Sequence, residues 1–224
     1  MNELLFLVTI IVCMTGILAF YKYLGHDGLY LWIIIATIFS FIASFRTMPL
    51  CNFNVNGAFP ILSSIYICIF ILIEKYNKKE TKKVISVTIF TMLITIFYFY
   101  ISSVYKPSIY DNTSVYLTKL LENNFLNLIL FTIMLGLSEY LIIIIYKHIK
   151  EYYDNPFVKN CLTTIVISII DTAIYLPIIY LGNNSMNVTY VVLATYTFKL
   201  MTSILYLPFI YYILTLKKVK KWMN

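Results

Sequence analysis

Residues 160–182 read NCLTTIVISIIDTAIYLPIIYLG, an apolar stretch interrupted by a few hydroxyl groups and by one charged residue, Asp171. A helix of about 20 apolar residues spans the hydrocarbon core of a bilayer. A charge at the centre of such a helix costs roughly 2.5 to 3.5 kcal/mol on insertion scales. We therefore expect Asp171 to face the interior of a helix bundle, where it pairs, binds a ligand or carries a proton.

Six further stretches of the chain have a similar length and apolar character. Together with 160–182, the predicted spans are 3–21, 28–46, 55–74, 84–104, 125–146 and 188–215. With 61% hydrophobic and 12% charged residues among 224, a soluble globule would have too little polar surface. The sequence predicts an all-α fold, a polytopic membrane helix bundle of six or seven transmembrane helices, with residues 1–224 forming a single integral membrane domain.

Lysines between the spans predict the orientation, because Lys and Arg beside membrane ends are retained in the cytoplasm. They cluster after the third, fifth and last spans: Lys75, Lys78, Lys79, Lys82 and Lys83; Lys147, Lys150 and Lys159; Lys217, Lys218, Lys220 and Lys221. We expect a multi-pass protein of the inner (plasma) membrane with a cytoplasmic C-terminus. Contact with the lipid bilayer accounts for the net charge of +7, so no nucleic-acid partner is expected.

Polar residues form stripes along three spans, with spacings of three and four that place each stripe on one helical face. The stripes are Thr164, Ser168, Asp171 and Tyr175; Thr195, Lys199, Thr202 and Tyr206; and Thr88, Thr91, Thr95, Tyr98 and Ser102. Such edges either enclose a wet or ligand-filled cavity, or bond to backbone carbonyls one turn back. We favour a site for the first two stripes, and either interhelical contacts or backbone bonding for the third.

The charged residues within the spans have alternative interpretations. Asp171 and Lys199 either contact a ligand or form a structural ion pair between two helices. A pair would leave Glu139, near the middle of the span 125–146, without a partner. Glu139 is then either protonated, which would allow coupling to the proton gradient, or ionised and bound to hydrogen-bond donors of a ligand.

Motifs for catalysis, nucleotide hydrolysis and metal binding are absent from the sequence. It contains no P-loop and no cluster of His, Cys and acidic residues at metal-ligand spacing. His26 and His148 lie at span edges with no nucleophile nearby in sequence, and the four cysteines are scattered. We expect no enzymatic activity, no cofactor and no metal.

Several short motifs resemble those of the queuosine precursor transporter family, also called vitamin uptake transporters, from about residue 30 to the C-terminus. They are Arg46-Thr47, the segment from Glu74 to Lys79, Ser138-Glu139-Tyr140, Lys159-Asn160, Ile170-Asp171-Thr172, Lys199 and Pro208. The family's polar pocket is only partly matched, since Phe70 and Ile142 stand where it has aspartates. The chain is therefore similar to a divergent member.

The resemblance implies a membrane transporter that imports a queuosine precursor, a 7-deazaguanine-type base, across the cytoplasmic membrane. The implied small-molecule substrate is a modified purine whose N1–H and exocyclic amine form a two-donor edge that Asp171 or Glu139 can accept. The predicted substrate-binding residues are Glu139, Asp171, Lys199, Ser168, Tyr175, Arg46 and Glu74. Glu74 could instead be a solvated cap, and Arg46 an interfacial residue.

Two other functions fit the same sequence. One is the substrate-binding subunit of an energy-coupling factor transporter for another small heterocycle or vitamin, docked on an energy-coupling ATPase module. The small residues Cys13, Gly16 and Ala19 of the first span would suit such docking, or ordinary packing within the chain. The other is a non-transporting structural or regulatory membrane protein, in which the charges only fix helix pairing.

Overall fold

The computed structural model describes residues 1–51, 53–76, 78–106, 108, 111, 114–182 and 188–216. Its elements are α1 (Asn2–Ser44), β1 (Thr47–Leu50), β2 (Phe53–Asn56), α2 (Phe59–Lys75), α3 (Lys78–Val104), α4 (Ser114–Tyr152), α5 (Pro156–Gly182) and α6 (Val188–Thr215). Within these residues, four helices are long and apolar enough to cross a membrane: Asn2–Ser44, Thr81–Val104, Leu128–Tyr152 and Tyr196–Thr215. The predicted all-α membrane bundle is confirmed, and the number of spans stays a prediction.

The long helix α1 folds back on itself at Gly25. Gly25 has a φ of 61°, a conformation that glycine adopts without a steric penalty. A Cβ atom added to Gly16 would lie 2.0 Å from the Trp32 ring, and one added to Gly28 would lie 2.0 Å from the carbonyl oxygen of Phe20. In a straight helix Gly16 and Trp32 would be about 24 Å apart. The element therefore consists of two antiparallel segments, which correspond to the predicted spans 3–21 and 28–46.

A short β-hairpin joins α1 to α2. β1 and β2 pair antiparallel, and Cys51 at their turn has a φ of 47°. The Asn2 side chain donates a hydrogen bond to the Pro49 carbonyl at 3.0 Å, which brings the start of α1 beside the hairpin. The Asn56 side chain accepts from the Ala58 amide at 2.8 Å just before α2 begins. The hairpin was not predicted, since its strands are only four residues long.

Helix α2 lies at the centre of the bundle. It is apolar on all its faces and most of its residues are buried, as expected for a helix enclosed by others. It packs against α1, α3, α4 and α6. The Trp32 indole donates to the Ser64 hydroxyl at 3.1 Å, and the Tyr206 hydroxyl donates to the Pro60 carbonyl at 2.9 Å. Side chains of α2 are therefore positioned to line any cavity inside the bundle.

The antiparallel helices α3 and α4 complete the bundle beside α2. Helix α4 begins at Ser114 and continues without a break to Tyr152. The Thr91 and Thr95 hydroxyls each donate to a backbone carbonyl one turn earlier, at 2.7 Å. For these two threonines the predicted backbone bonding is confirmed.

The close approach at Gly28 predicts a strong effect of a single methyl group. Gly28→Ala should destabilise the protein by about 1 to 3 kcal/mol, because the new Cβ meets backbone rather than a movable side chain. Gly136→Ala is the matched control, since its Cβ would meet the end of the flexible Ile89 side chain at 2.8 Å. Thermal unfolding of both variants in detergent measures the difference. Equal midpoints for Gly28→Ala and the wild type would contradict the folded-back arrangement of α1.

Candidate functional site

The residues predicted to bind substrate fall into separate places. Asp171, Lys199 and Ser168 lie together around a cavity between α2, α4, α5 and α6. The remaining predicted residues are Glu139 at the α3–α4 interface, Glu74 at the last turn of α2, Arg46 before β1, and Tyr175, whose side chain lies outside the described residues.

Asp171 and Lys199 form a buried ion pair between α5 and α6. The Lys199 ammonium lies 2.5 Å from Asp171 Oδ2, and the two side chains are only 13% and 9% exposed. The Ser138 hydroxyl of α4 donates to the other carboxylate oxygen, Oδ1, at 2.5 Å. Both oxygens of Asp171 thus have a partner, and a third helix is connected to the pair. The arrangement offers a carboxylate and an ammonium side by side inside an apolar bundle.

A narrow cavity adjoins this pair. Its volume is about 20 Å³, roughly the space of one water molecule. Its lining residues are Ser63, Tyr66, Ile67, Phe70, Ile142, Thr163, Thr164, Ile167, Ser168, Lys199 and Ser203. One end of the lining is rich in hydroxyl groups and the rest is apolar. The described residues contain no group of three or more His, Cys, Asp or Glu side chains that could hold a metal ion.

Hydroxyl groups at the polar end of the cavity bond to one another across helices. The Ser63 and Thr202 hydroxyls are 2.9 Å apart and join α2 to α6. The Ser203 hydroxyl lies 3.0 Å from the Thr164 hydroxyl and accepts from the Asn160 amide at 3.0 Å, which joins α5 to α6. These contacts fix the relative positions of the three helices and leave polar groups facing the cavity.

Sequence reasoning missed the contribution of α2. Tyr66 lines the cavity, and its hydroxyl lies beside Ser138 within electrostatic range of both Asp171 and Glu139. Ser63, Tyr66 and Phe70 follow the spacing of three and four that marks one helical face. That spacing is a usable signal, but the apolar residues around it made α2 look like a wholly packed helix.

Phe70 and Ile142 form part of the apolar lining of the cavity. The Phe70 ring stacks on Tyr146 with centroids 4.7 Å apart. Both positions are uncharged, and Asp171 is the carboxylate that pairs with Lys199 in the described part of the chain.

Glu139 does not line this cavity. Its carboxyl group is fully buried and faces the Thr88 hydroxyl of α3, whereas the neighbouring Ser138 faces Asp171 of α5. Successive residues of a helix point about 100° apart, so one turn of α4 serves two different interfaces. Neither Glu139 oxygen has a hydrogen-bond partner within the described part of the chain.

Glu74 belongs to an ion-pair cluster at the lysine-rich end of the bundle. Its carboxylate lies 2.8 Å from the Lys150 ammonium and 2.5 Å from that of Lys159. The Tyr146 hydroxyl donates to it at 3.0 Å. The cluster ties α2 to α4 and α5. Nearby, the Lys75 ammonium donates to the Leu216 carbonyl at 2.6 Å and so ties α2 to the end of α6.

Arg46 lies at the opposite end of α2 from Glu74. Its side chain is exposed, and its carbonyl accepts from the Gly57 amide at 2.8 Å just before α2 starts. The 17 residues of α2 span about 25 Å between these two ends. Arg46 is not among the residues that line the cavity beside the Asp171–Lys199 pair, and its predicted role in binding remains a prediction.

Comparison with known proteins gives two matches and one absence. The family described as "Putative vitamin uptake transporter" matches residues 56–213. A curated protein of Bacillus subtilis (strain 168), named "Probable queuosine precursor transporter", is 24% identical over 201 residues, which cover 87% of each chain. No solved structure matches the chain. The matched region contains the Asp171–Lys199 pair, the cavity lining and the Glu74 cluster.

The Glu74 cluster predicts a large stability effect. Glu74→Gln should destabilise the protein by about 3 to 5 kcal/mol, because it leaves the Lys159 ammonium, only 5% exposed, without its counter-charge. Glu151→Gln is the matched control, since Glu151 is on α4 and 72% exposed. The measurement is thermal unfolding in detergent. Adding Lys159→Met to Glu74→Gln should recover part of the loss, and an unaltered single variant would show that the cluster is not structural.

Proposed function

Because the chain belongs to the vitamin uptake transporter family, we propose that it imports a 7-deazaguanine-type base, a queuosine precursor, across the cytoplasmic membrane. Membership of this family makes the chain a multi-pass membrane transporter and not an enzyme. The observation that supports the proposed substrate is the buried pair of Asp171 and Lys199 beside a cavity inside the bundle. The curated relative carries the name of a queuosine precursor transporter.

The chemistry of the pair suits the edge of a guanine ring. That edge presents one acceptor, O6, next to two donors, N1–H and the exocyclic amine. The Asp171 carboxylate can accept from both donors in a charge-assisted fork, and the Lys199 ammonium can donate to O6. Their charges are already adjacent, with the nitrogen 2.5 Å from Oδ2. A base would therefore replace one buried set of hydrogen bonds with another.

Aromatic and aliphatic side chains provide faces for the flat ring. Tyr66 and Phe70 lie one turn apart on α2, and Ile142 of α4 completes the apolar wall. Base–aromatic stacking is worth about 1 to 3 kcal/mol per base in other proteins. Because Phe70 and Ile142 carry no charge, the substituent of the bound base that meets this wall should be uncharged as well.

Admission of the base requires the bundle to open. A cavity of about 20 Å³ holds about one water molecule and is too small for a two-ring base. The conformation described is thus a closed one, in which the substrate-binding groups satisfy each other. Transport then consists of separating the helices on one side of the site, binding, and separating them on the other side.

Import requires a defined orientation of the protein in the membrane, and we propose this orientation from the positions of the lysines. Lys75, Lys150 and Lys159 make contacts at the same end of the bundle, where Lys75 also reaches the end of α6. Basic residues next to spans are retained in the cytoplasm. We therefore assign this end, with the C-terminus, to the cytoplasmic side of the inner membrane, and we propose that residues 1–224 act as one membrane domain.

The alternative function, a substrate-binding subunit that docks on an ATPase module, has less support than transport by this chain alone. Its docking surface would be the small-residue face of the first span, but Gly16 on that face packs against Trp32 of the same chain. Cys13 is also buried within the bundle. Packing inside the chain thus occupies part of this face, although Cys13, Gly16 and Ala19 also line an open, largely apolar groove.

Asp171→Asn tests the substrate-binding role. It should lower import at least about 30-fold while the protein still accumulates in the membrane, because truncating one partner of a buried charge pair costs 2 to 5 kcal/mol or more in binding. The measurement is the queuosine content of tRNA, read by boronate gel shift, in cells that can neither make nor otherwise import the precursor and receive a low dose of base. Asp154→Asn, an exposed aspartate before α5, is the matched control.

The same assay separates a binding pair from a purely structural pair. If Asp171 and Lys199 only hold α5 and α6 together, Asp171→Asn should lower the amount of folded protein, and adding Lys199→Met should restore it together with import. If they bind the base, the double variant should fold but remain inactive. Import at the wild-type level by Asp171→Asn would contradict the proposed site.

A further inference from the structure

Glu139 is a buried acid that the proposed binding site does not use. Its side chain is 0% exposed, and both carboxyl oxygens lack a hydrogen-bond partner among the residues that the structure describes. The Thr88 hydroxyl of α3 lies beside the carboxyl group and is itself buried, and in the described part of the chain it too has no partner within hydrogen-bonding geometry. These two polar groups face each other across the α3–α4 interface.

Glu139 and Thr88 belong to a row of polar residues between α3 and α4, here called the seam, which also contains Thr132 and Thr95. Gly136, one turn before Glu139, brings α4 close to Ile89, so the two helices run antiparallel with Glu139 level with Thr88. In that register Thr132, two turns before Glu139, is level with Thr95, two turns after Thr88. Both threonines are buried, at 5% and 7% exposure. Both hydroxyls donate to a carbonyl of their own helix, at 2.7 and 2.8 Å, so the seam offers their oxygens as acceptors from Glu139 towards the end of the bundle that holds the β-hairpin.

The surroundings of Glu139 favour its neutral form. An ionised carboxylate in a bundle interior requires a counter-charge or several donors. On α3, residues 84–92 contain no charged side chain. Among the residues that the structure describes, Tyr66 of α2 lies within electrostatic range of Glu139 and of Asp171, and Asp171 of α5 is already paired with Lys199 of α6. A protonated Glu139 removes the charge and gains one donor for a neighbouring oxygen.

Glu139 is nevertheless connected to the substrate-binding pair. Ser138, the next residue on α4, donates to Asp171 at 2.5 Å. The Tyr66 hydroxyl lies beside Ser138 and within electrostatic range of both acids. A rotation of α4 relative to α3 and α5 that breaks the Ser138–Asp171 bond would also move Glu139 relative to Thr88. This adjacency on α4 is a route by which a base bound at Asp171 can act on the surroundings of Glu139.

We propose that Glu139 is a proton-binding site that couples uptake of the base to the proton gradient. This inference rests on the proposed function. Glu139 takes up one proton while the bundle is open to the outside, remains a neutral carboxylic acid in the closed state, and releases that proton when the bundle opens to the cytoplasm. The carboxylate regenerated there completes the cycle. The proton gradient supplies the energy, and one proton enters with each base.

The test uses the purified full chain in proteoliposomes with a radiolabelled 7-deazaguanine. Two transport modes are compared: exchange of labelled for unlabelled base without a gradient, and accumulation driven by a pH gradient that is acidic outside. The wild type should perform both. Glu139→Gln, which mimics the protonated acid, should keep exchange within about threefold and lose gradient-driven accumulation. Glu151→Gln, the exposed glutamate on the same helix, is the matched control and should behave as the wild type.

The outcomes distinguish this inference from the proposed function. Exchange by the wild type without any response to the pH gradient, or gradient-driven accumulation by Glu139→Gln, would overturn the proton site and leave the transported base intact. Absence of both binding and exchange in folded wild-type protein would overturn the proposed function instead. A measurement that needs no substrate is infrared spectroscopy: the wild type should show a protonated-carboxyl band that Glu139→Gln lacks, and an identical spectrum would contradict a neutral Glu139.

Discussion

The buried attraction between Asp171 and Lys199 is the interaction around which the bundle is arranged. Neither charge can face lipid, so α5 and α6 must turn these faces inwards and towards each other. The second carboxylate oxygen then requires a donor, and Ser138 of α4 supplies it. Helix α2 closes the space beside the pair, and its Tyr66 and Phe70 line the cavity. The faces of four helices thus meet around one charge pair.

The polar stripes made this part of the site predictable from sequence, because Asp171 and Lys199 each stand among hydroxyl residues at helical spacing. The sequence could not predict which helix the Glu139 side chain faces. Ser138 and Glu139 are adjacent polar residues on α4, and which of them faces α5 depends on how α3 and α5 pack on either side of that helix. The β-hairpin and the role of Tyr66 were missed for a related reason. The pairing of short strands, and the role of a single aromatic residue in an apolar helix, depend on contacts with residues that are distant in sequence.

The lysine-rich end of the bundle places a second constraint on function. The Glu74 carboxylate connects α2 to Lys150 of α4 and Lys159 of α5, and these three helices also line the cavity. The cavity therefore cannot open widely towards this end unless the ion pairs separate. Lys150 is 38% exposed, whereas Lys159 is 5% exposed. Solvent can replace the Lys150 contact more easily than the Lys159 contact, so in the proposed transport cycle the Glu74–Lys159 contact would be the costlier of the two to separate.

Asp171 and Glu139, the two acids near the middle of the bundle, have opposite surroundings. Asp171 has a lysine and a serine hydroxyl as partners, whereas the carboxyl group of Glu139 has neither within the described residues. A paired carboxylate can exchange its partner for the donors of a ligand, and an unpaired buried acid can exchange only a proton without leaving a charge in the apolar interior. Ser138 and Glu139 are consecutive on α4, so a rotation of that helix within the bundle would change the surroundings of both side chains. Under the proposed proton coupling, this adjacency is the physical link between ligand occupancy at Asp171 and proton occupancy at Glu139.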